Sequence, residues 1–143
     1  MKRVIWAVAL CVSGLSLQAQ AGDKKVVFVS HDKVEKGGPL AASTTPGFVI
    51  SINTRTGSGQ VEVHDKETDT MYVLSGAATV VVGGEGVEMK PSGAGQFRGS
   101  SITGGETYQL TKGDVLVVPS KTPHWFKEVS APIQYYLIKV LEP

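Results

Sequence analysis

Short apolar segments separated by glycine and proline follow one another along most of the chain. In residues 48–53 and 60–64 apolar and polar positions alternate, as they do in a strand with one buried face. Further apolar segments, many rich in β-branched residues, predict other strands at residues 26–29, 71–74, 77–82, 107–110, 115–118 and 133–141. No segment with helical periodicity reaches ten residues. The pattern therefore predicts an all-β chain.

Turn-forming residues between these segments add to that prediction. Ser75-Gly76 separates two apolar segments and predicts a hairpin. One helical turn is expected over His31–Lys36, with Ser30 as its N-cap. Loops and short strands then alternate, with loops at residues 83–86 and 91–95 and strands at residues 87–89 and 96–102. Many short strands separated by turns at spacings of roughly 8 to 12 residues are typical of a sandwich or a barrel.

The first 21 residues have the composition of a secretory signal peptide. Lys2 and Arg3 form a short positive region, residues 4–17 are an apolar stretch, and Ala19-Gln20-Ala21 is a small-x-small cleavage signal. A membrane anchor is the alternative, but a stretch of 14 residues is shorter than the roughly 18 needed to span a bilayer. We therefore expect residues 1–21 to be removed on export to the periplasm or the extracellular space.

The remaining residues, 22–143, are enough for one domain with a single core. Loss of Lys2 and Arg3 changes the formal net charge from +1 to −1, and no basic run is left. Nucleic acid and, after processing, a membrane are therefore not expected as partners. The only cysteine, Cys11, leaves with the signal peptide, which excludes a disulfide framework.

Two histidines and two carboxylates are candidate metal ligands. Glu62 and His64 are two residues apart in an alternating segment, so their side chains share one face of a strand. Asp69 precedes the next apolar segment, and His124 follows a loop bounded by prolines at 119 and 123. Polar groups inside a small barrel are costly unless something satisfies them, and a divalent cation would do so. The alternatives are a solvent-facing edge strand for Glu62 and His64, a turn residue for Asp69, and a core histidine bonded to backbone for His124.

The order and spacing of these residues resemble the two motifs of the cupin superfamily. The first motif is Gly, five residues, His-x-His, three or four residues, Glu, six residues, Gly; here it corresponds to Gly57 near the start, Glu62-x-His64, four residues, Asp69, six residues and Gly76. The second is Gly, five residues, Pro-x-Gly, two residues, His, three residues, Asn; here it corresponds to Gly113, five residues, Pro119-x-Lys121, two residues, His124, three residues and Glu128. The resemblance covers about residues 57–128.

The resemblance places the metal ligands of the family on Glu62, His64, Asp69 and His124. Glu62 stands where the first histidine is usual, and Asp69 where the glutamate is usual. Two imidazoles with up to two carboxylates favour Mn, Fe or Zn over softer metals. The shorter Asp69 leaves open a bond through water, and also a chain that has lost its metal and keeps only the cavity.

Other residues near the motifs are candidates for lesser roles. Glu67 is a substitute ligand and, with Glu62, a candidate general base. Arg98 is a candidate clamp for a substrate carboxylate, because arginine binds carboxylates in a bidentate manner; Arg55 has the same two alternatives, clamp or surface residue. Tyr72 and Trp125 are aromatic candidates for the wall of the substrate cavity, or for the core.

The resemblance implies a single-domain, antiparallel jelly-roll β-barrel, by analogy a homodimer. The function expected from it is a secreted, metal-dependent enzyme acting on a small molecule, such as an isomerase or epimerase, a lyase or a dioxygenase. The alternative is a non-catalytic periplasmic module that binds or senses a small ligand or a metal, since one fold supports many functions.

Overall fold

The computed structural model describes residues 26–44 and 47–143, which form one short helix and eleven strands. Helix α1 is His31–Lys36, as predicted; Ser30 accepts backbone hydrogen bonds through its carbonyl, and its side chain makes no capping bond. The strands are β1 Gly38–Thr44, β2 Gly47–Arg55, β3 Val61–His64, β4 Glu67–Val82, β5 Glu85–Val87, β6 Lys90–Gly93, β7 Gln96–Gly99, β8 Ser101–Thr103, β9 Glu106–Thr111, β10 Val115–Val118 and β11 His124–Leu141. Within these ranges no helix has the length and apolar character needed to cross a bilayer.

Nine strands form one antiparallel sheet that curves into a barrel, and β5 and β8 form a separate two-stranded sheet. Part of the large sheet runs in the order β1-β2-β11-β3-β7-β6, while β4 pairs with β9, β10 and β11. β4 and β11, with 16 and 18 residues, are the two longest strands and pair with each other along most of their length. The jelly-roll barrel predicted from the sequence is confirmed.

Alternate side chains of β4 and β11 point into the barrel. On β4, Asp69, Met71 and Val73 are buried, whereas Tyr72 between them is exposed. The apolar core they join is completed by Ala78, Val80, Leu110, Leu116, Val118, Phe126, Ile133 and Tyr135. Because Asp69 shares the inward face with Met71, strand alternation places a carboxylate directly beside the core.

The predicted hairpin at Ser75-Gly76 is wrong, because β4 continues through both residues without reversing. Gly76 has φ +81° and lies against β11, where a Cβ would stand only 1.9 Å from the carbonyl oxygen of Pro132. The pairing of β4 with β11 shifts in register on either side of this point. Gly76 therefore allows two long strands to approach closely, which a local pattern cannot distinguish from a turn.

Other boundaries also differ from the predictions. Residues 26–29 form no strand: Val26 and Phe28 are exposed and lie outside regular structure. The predicted loop at 91–95 is largely strand β6, and the predicted strand 96–102 is divided between β7 and β8, which belong to different sheets. β11 begins at His124 rather than at 133. The predicted signal peptide, 1–21, lies outside the described residues.

Candidate metal centre

Three strands bring the four predicted metal ligands together. β3 supplies Glu62 and His64, β4 supplies Asp69, and β11 supplies His124 as its first residue. The two imidazole centroids are 5.1 Å apart. Asp69 Oδ2 lies 3.4 Å from His64 Nε2 and 3.8 Å from His124 Nε2, and Glu62 Oε2 lies 3.6 Å and 4.0 Å from the same two nitrogens. Both histidines and Asp69 are buried.

Hydrogen bonds on the far side of each ring indicate which nitrogen carries the proton. Gln96 Nε2 donates to Glu67 Oε1 at 3.0 Å, so Gln96 Oε1 is the atom that faces His64 Nδ1, at 2.5 Å. The carbonyl oxygen of Thr122 faces His124 Nδ1 at 3.1 Å. Both oxygens are acceptors, so each Nδ1 is held as a proton donor and each Nε2 is the ring nitrogen directed toward the carboxylates.

Two imidazole nitrogens and two carboxylate oxygens therefore face one another, and when both rings are neutral all four atoms offer a lone pair to a cation. His64 Nε2 is buried and has no hydrogen-bond partner among the described residues. A buried polar atom without a partner is costly, and imidazoles held through Nδ1 by a carbonyl or amide oxygen are the usual arrangement for metal ligands. The residues present fit a divalent cation, and Glu62, His64 and His124 by themselves offer three ligand atoms within 4.8 Å of one another.

Burial lowers the pKa of His124, opposed in part by its bond to Thr122 and by the charges of Asp69 and Glu62. The neutral imidazole is therefore favoured near pH 7. Since only a neutral imidazole binds a metal, this environment keeps His124 in the form a metal site needs.

Lys139 is the basic partner of the buried carboxylate Asp69. Its Nζ lies 2.8 Å from Asp69 Oδ1, 3.1 Å from Asp69 Oδ2 and 2.7 Å from Glu67 Oε2. Burial would raise the pKa of Asp69, but its contacts with His64 and Lys139 outweigh burial and lower that pKa below its ordinary value. Asp69 is thus held as a carboxylate, with Oδ2 directed toward both histidines.

Two arginines pair with the other ligand carboxylate, Glu62. Arg55 Nη2 lies 3.1 Å from Glu62 Oε1, and Arg98 Nη2 lies 3.5 Å from Glu62 Oε2. Both arginines line a cavity of about 260 Å³ that opens beside the four ligands. Its other lining residues are Asn53, Gln60, Met71, Gln96, Phe126, Tyr135, Leu137 and Lys139.

Glu67 is less available than Glu62 as a ligand or as a base, because both of its carboxylate oxygens accept hydrogen bonds. One of its oxygens accepts from Gln96 and the other from Lys139, on the Nδ1 side of His64. His64, Glu67 and Asp69 form a second group with metal-ligand spacing. The Glu62, His64 and His124 group is the better site, because Lys139 already bridges Glu67 and Asp69.

Tyr72 and Trp125 do not line the cavity, contrary to the prediction. Tyr72 lies on the outer face of β4, opposite Asp69 and Met71. Trp125 follows the inward His124 and so points away from the cavity; its Nε1 donates to the carbonyl of Gly59 at 2.7 Å. The cavity wall instead contains Phe126, two positions after His124, and Tyr135.

Sequence reasoning missed Gln96 and Lys139, and it left Arg55 open between a substrate clamp and a surface residue. Gln96 is the cross-strand partner of His64, and Lys139 that of Asp69. Alternation along β11 was the available signal for Lys139, because it is in phase with the buried Ile133 and Tyr135. No local signal identified Gln96, since its partner on β3 is set by strand register.

In a comparison with known families, residues 39–139 match the family model described as Cupin. That range contains all four candidate ligands. A sequence comparison with curated proteins gives no significant match.

Several solved structures share the fold at low sequence identity. The protein TT1209 from Thermus thermophilus is 19% identical with a TM-score of 0.51, over 75% of this chain and 83% of that one. Ectoine synthase from P. lautus is 14% identical with a TM-score of 0.53, over 75% and 64%. Hydroquinone 1,2-dioxygenase from Sphingomonas sp. TTNP3 is 13% identical with a TM-score of 0.50, over 67% and 60%. At these identities the likeness concerns the fold alone, and this chain spans less than two thirds of the latter two proteins.

Proposed function

This chain belongs to the cupin family, and we propose that it binds one divalent ion, Mn, Fe or Zn, through Glu62, His64, Asp69 and His124 and acts as an enzyme on a small molecule. The observation that carries the proposal is the buried Nε2 of His64, which has no hydrogen-bond partner in the part of the chain that the structure describes and faces Glu62 Oε2 and Asp69 Oδ2. When bound, such an ion supplies Lewis acidity that polarises a substrate oxygen. Isomerase or epimerase, lyase and dioxygenase chemistry are the proposed reaction classes.

The surrounding residues have separate tasks in this proposal. Gln96 and the carbonyl of Thr122 hold the two rings with Nε2 directed inward. Lys139 keeps Asp69 ionised. Glu62 lines the cavity and is a candidate general base when it is not bound to metal, whereas Glu67 is occupied by Gln96 and Lys139.

A second function, a non-catalytic module that binds a small ligand or a metal, is supported by a different observation. All three carboxylates around the site already have cationic partners in Arg55, Arg98 and Lys139. A site whose charges are balanced without a metal is compatible with a pocket that holds only an organic ligand. Metal binding by the purified protein separates a metal site from a pocket that holds only an organic ligand.

The test is a Zn²⁺ titration of metal-free protein by calorimetry, with tryptophan emission as a second readout. Trp125, the only tryptophan after residue 21, adjoins His124 and reports on it. His124→Ala should abolish saturable binding, and His31→Ala is the matched control because His31 is exposed on α1. If His124→Ala binds Zn²⁺ as tightly as the parent, the site lies elsewhere; if the parent does not bind Zn²⁺, Mn²⁺ or Fe²⁺, the non-catalytic function is the better one.

We also propose export with cleavage after Ala21, on the basis of the apolar stretch and the small residues that follow it. An intact-mass measurement on periplasmic material tests this directly. A chain that keeps residues 1–21, or that is found only in the cytoplasm, contradicts it.

A further inference from the structure

The charged side chains at the cavity and the candidate metal centre cancel one another. Three carboxylates and three basic side chains make up the set, and they are Glu62, Glu67, Asp69, Arg55, Arg98 and Lys139. The two imidazoles are neutral once they bind a metal, since only a neutral imidazole is a ligand. One divalent cation in the centre therefore raises the net charge of this region to +2, at a place too enclosed for salt to screen it well.

Arg55 is held firmly and has little freedom to take a new partner. Its Nε donates to the Tyr135 hydroxyl at 3.2 Å and its Nη2 to Glu62 at 3.1 Å. Its guanidinium carbon lies 4.6 Å from the centre of the Phe126 ring, and a Cβ at Gly59 would stand 2.6 Å from its Nη1. These contacts hold the Arg55 side chain in one position beside Glu62.

Arg98 is held much less firmly. Its Nη1 donates to the backbone carbonyl of the neighbouring Phe97 at 3.1 Å. Its Nη2 is 3.5 Å from Glu62 Oε2, beyond the roughly 2.7–2.9 Å of a charge-assisted hydrogen bond. About a third of the side chain is exposed, and it lines the cavity. Arg98 can therefore turn its planar fork to another oxyanion while Arg55 keeps Glu62 in place.

We propose that the cavity binds a small dianionic oxyanion, such as a dicarboxylate, only after the metal centre is loaded, and that Arg98 is the residue that recognises one of its oxyanion groups. This inference rests on the metal binding proposed above. A guanidinium matches the geometry of carboxylate and phosphate through paired N–H donors, and two negative charges offset the net +2 of the loaded site.

The cavity also limits the size of the ligand. Its volume of about 260 Å³ is just below the roughly 300–1,000 Å³ of sites for drug-sized molecules, so it suits a compact ligand. Asn53 and Gln60 add polar lining, and Met71 and Leu137 add apolar lining. A ligand with a short carbon chain between two oxyanion groups matches this mixed polar and apolar lining.

The test uses the full mature chain, first titrated with Zn²⁺ and then, loaded and freed of excess metal, titrated calorimetrically with malonate. Acetate, inorganic phosphate and the neutral analogue malonamide are the comparison ligands. We expect malonate to bind the loaded protein at least roughly tenfold more tightly than the metal-free protein, and than acetate or malonamide. Phosphate binding of similar strength supports the same site and assigns its ligand to the phosphate type.

Substitutions separate Arg98 from the metal site itself. Arg98→Gln should weaken malonate binding by roughly tenfold or more while Zn²⁺ binds at least as tightly as to the parent. Arg98→Lys should give an intermediate loss of malonate affinity, because lysine keeps the positive charge but lacks the paired N–H donors of the guanidinium. Lys112→Gln removes an exposed positive charge away from the cavity and should change neither affinity.

Failure of the metal site and failure of the anion site give different experimental results. If Zn²⁺ binds but malonate and phosphate do not, or if either anion binds equally well without Zn²⁺, this inference is overturned and the metal site stands. Unchanged malonate affinity in Arg98→Gln overturns the role of Arg98. If the parent binds neither Zn²⁺ nor another divalent ion, the metal site and this inference are both wrong.

Discussion

At the scale of single residues, the ion pair between Lys139 and Asp69 stabilises the site in the metal-free protein. Lys139 neutralises Asp69, whose side chain is almost fully buried, and it also bonds Glu67. Removing one partner of a buried ion pair leaves the other charge without compensation, which usually costs about 3–5 kcal/mol. The same removal leaves Asp69 with more freedom to bind a metal.

We expect Lys139→Met to lower the free energy of unfolding of the metal-free protein by about 3 kcal/mol, measured by urea denaturation. Saturating Zn²⁺ should then stabilise this variant more than it stabilises the parent. Lys112→Met is the matched control and should change stability little, because Lys112 is exposed. A loss in Lys139→Met no larger than that of the control would show that Asp69 does not depend on Lys139.

The pH dependence of stability also belongs to this scale. The pKa of His124 is lowered mainly by burial, and that of Asp69 is lowered by His64 and Lys139 against the effect of burial. In both cases the unfolded chain binds more protons, so stability falls as the pH drops. For the metal-free protein we expect a loss below the ordinary histidine value of 6.5 and a further loss below the ordinary aspartate value of 3.8.

Urea denaturation at successive pH values measures this dependence, and His124→Gln should remove the first of the two losses. Equal unfolding free energies at pH 7.5 and about pH 5 would contradict the assignment of a buried, neutral His124.

At the scale of strands, the site is built from cross-strand pairs. His64 faces Gln96, Glu62 faces Arg98, and Asp69 faces Lys139 at directly opposed register positions. Opposed residues on antiparallel strands have Cβ atoms only about 4.5–5.5 Å apart, so each of these three ligands receives a partner from the neighbouring strand. A shift of one residue in any of these pairings would turn a ligand or its partner outward.

β4 and β11 approach each other closely at Gly76, and Gly76→Ala should disrupt their pairing. The substitution combines a positive φ, which costs about 1–2 kcal/mol, with a Cβ 1.9 Å from the backbone oxygen of Pro132. Gly113→Ala is the matched control, because Gly113 has φ +94° and nothing within 4 Å of its added Cβ. We expect Gly113→Ala to lose only the stability that a positive φ costs an alanine. Gly76→Ala should lose clearly more stability, as measured by the midpoint of urea denaturation. Equal losses of stability in the two variants would mean that β11 can move away from residue 76 without destabilising the fold.

At the scale of the molecule, the outer face of the barrel carries an exposed apolar row. Val115 and Val117 on β10 lie beside Tyr72 and Thr70 on β4, and Ile138 follows on β11. Val115 and Val117 are more than half exposed. Contiguous apolar surface of this kind is a common mark of a protein–protein interface, and it supports the homodimer expected from the family resemblance.

We therefore predict a homodimer through this face, and Val117→Lys should convert it to a monomer in size-exclusion chromatography with light scattering. A buried lysine without a partner is unfavourable at the centre of an interface. Val26→Lys is the matched control, since Val26 is an exposed valine outside the strands, and it should leave the dimer intact. A parent protein that is monomeric at micromolar concentration would rule out this interface.

The sequence by itself determined the features that depend on local pattern. Alternation located strands at residues 48–53 and 60–64, because one buried face repeats every two residues. Short apolar segments between turn residues located those at 107–110 and 115–118. Motif spacing gave the family and selected Glu62, His64, Asp69 and His124, which the structure brings together in the barrel. These residues could be named because their order along the chain carries the information.

Only the tertiary structure decided which residues support those ligands and which do not take part. Lys139 reaches Asp69 across 70 residues and Gln96 reaches His64 across 32, through strand register that no local pattern specifies. Register also placed Tyr72 on the outer face, and the close packing of β11 converted the expected turn at Gly76 into continuous strand. Pairing between distant strands is a property of the whole barrel, because its energy comes from contacts that exist only once the chain has folded.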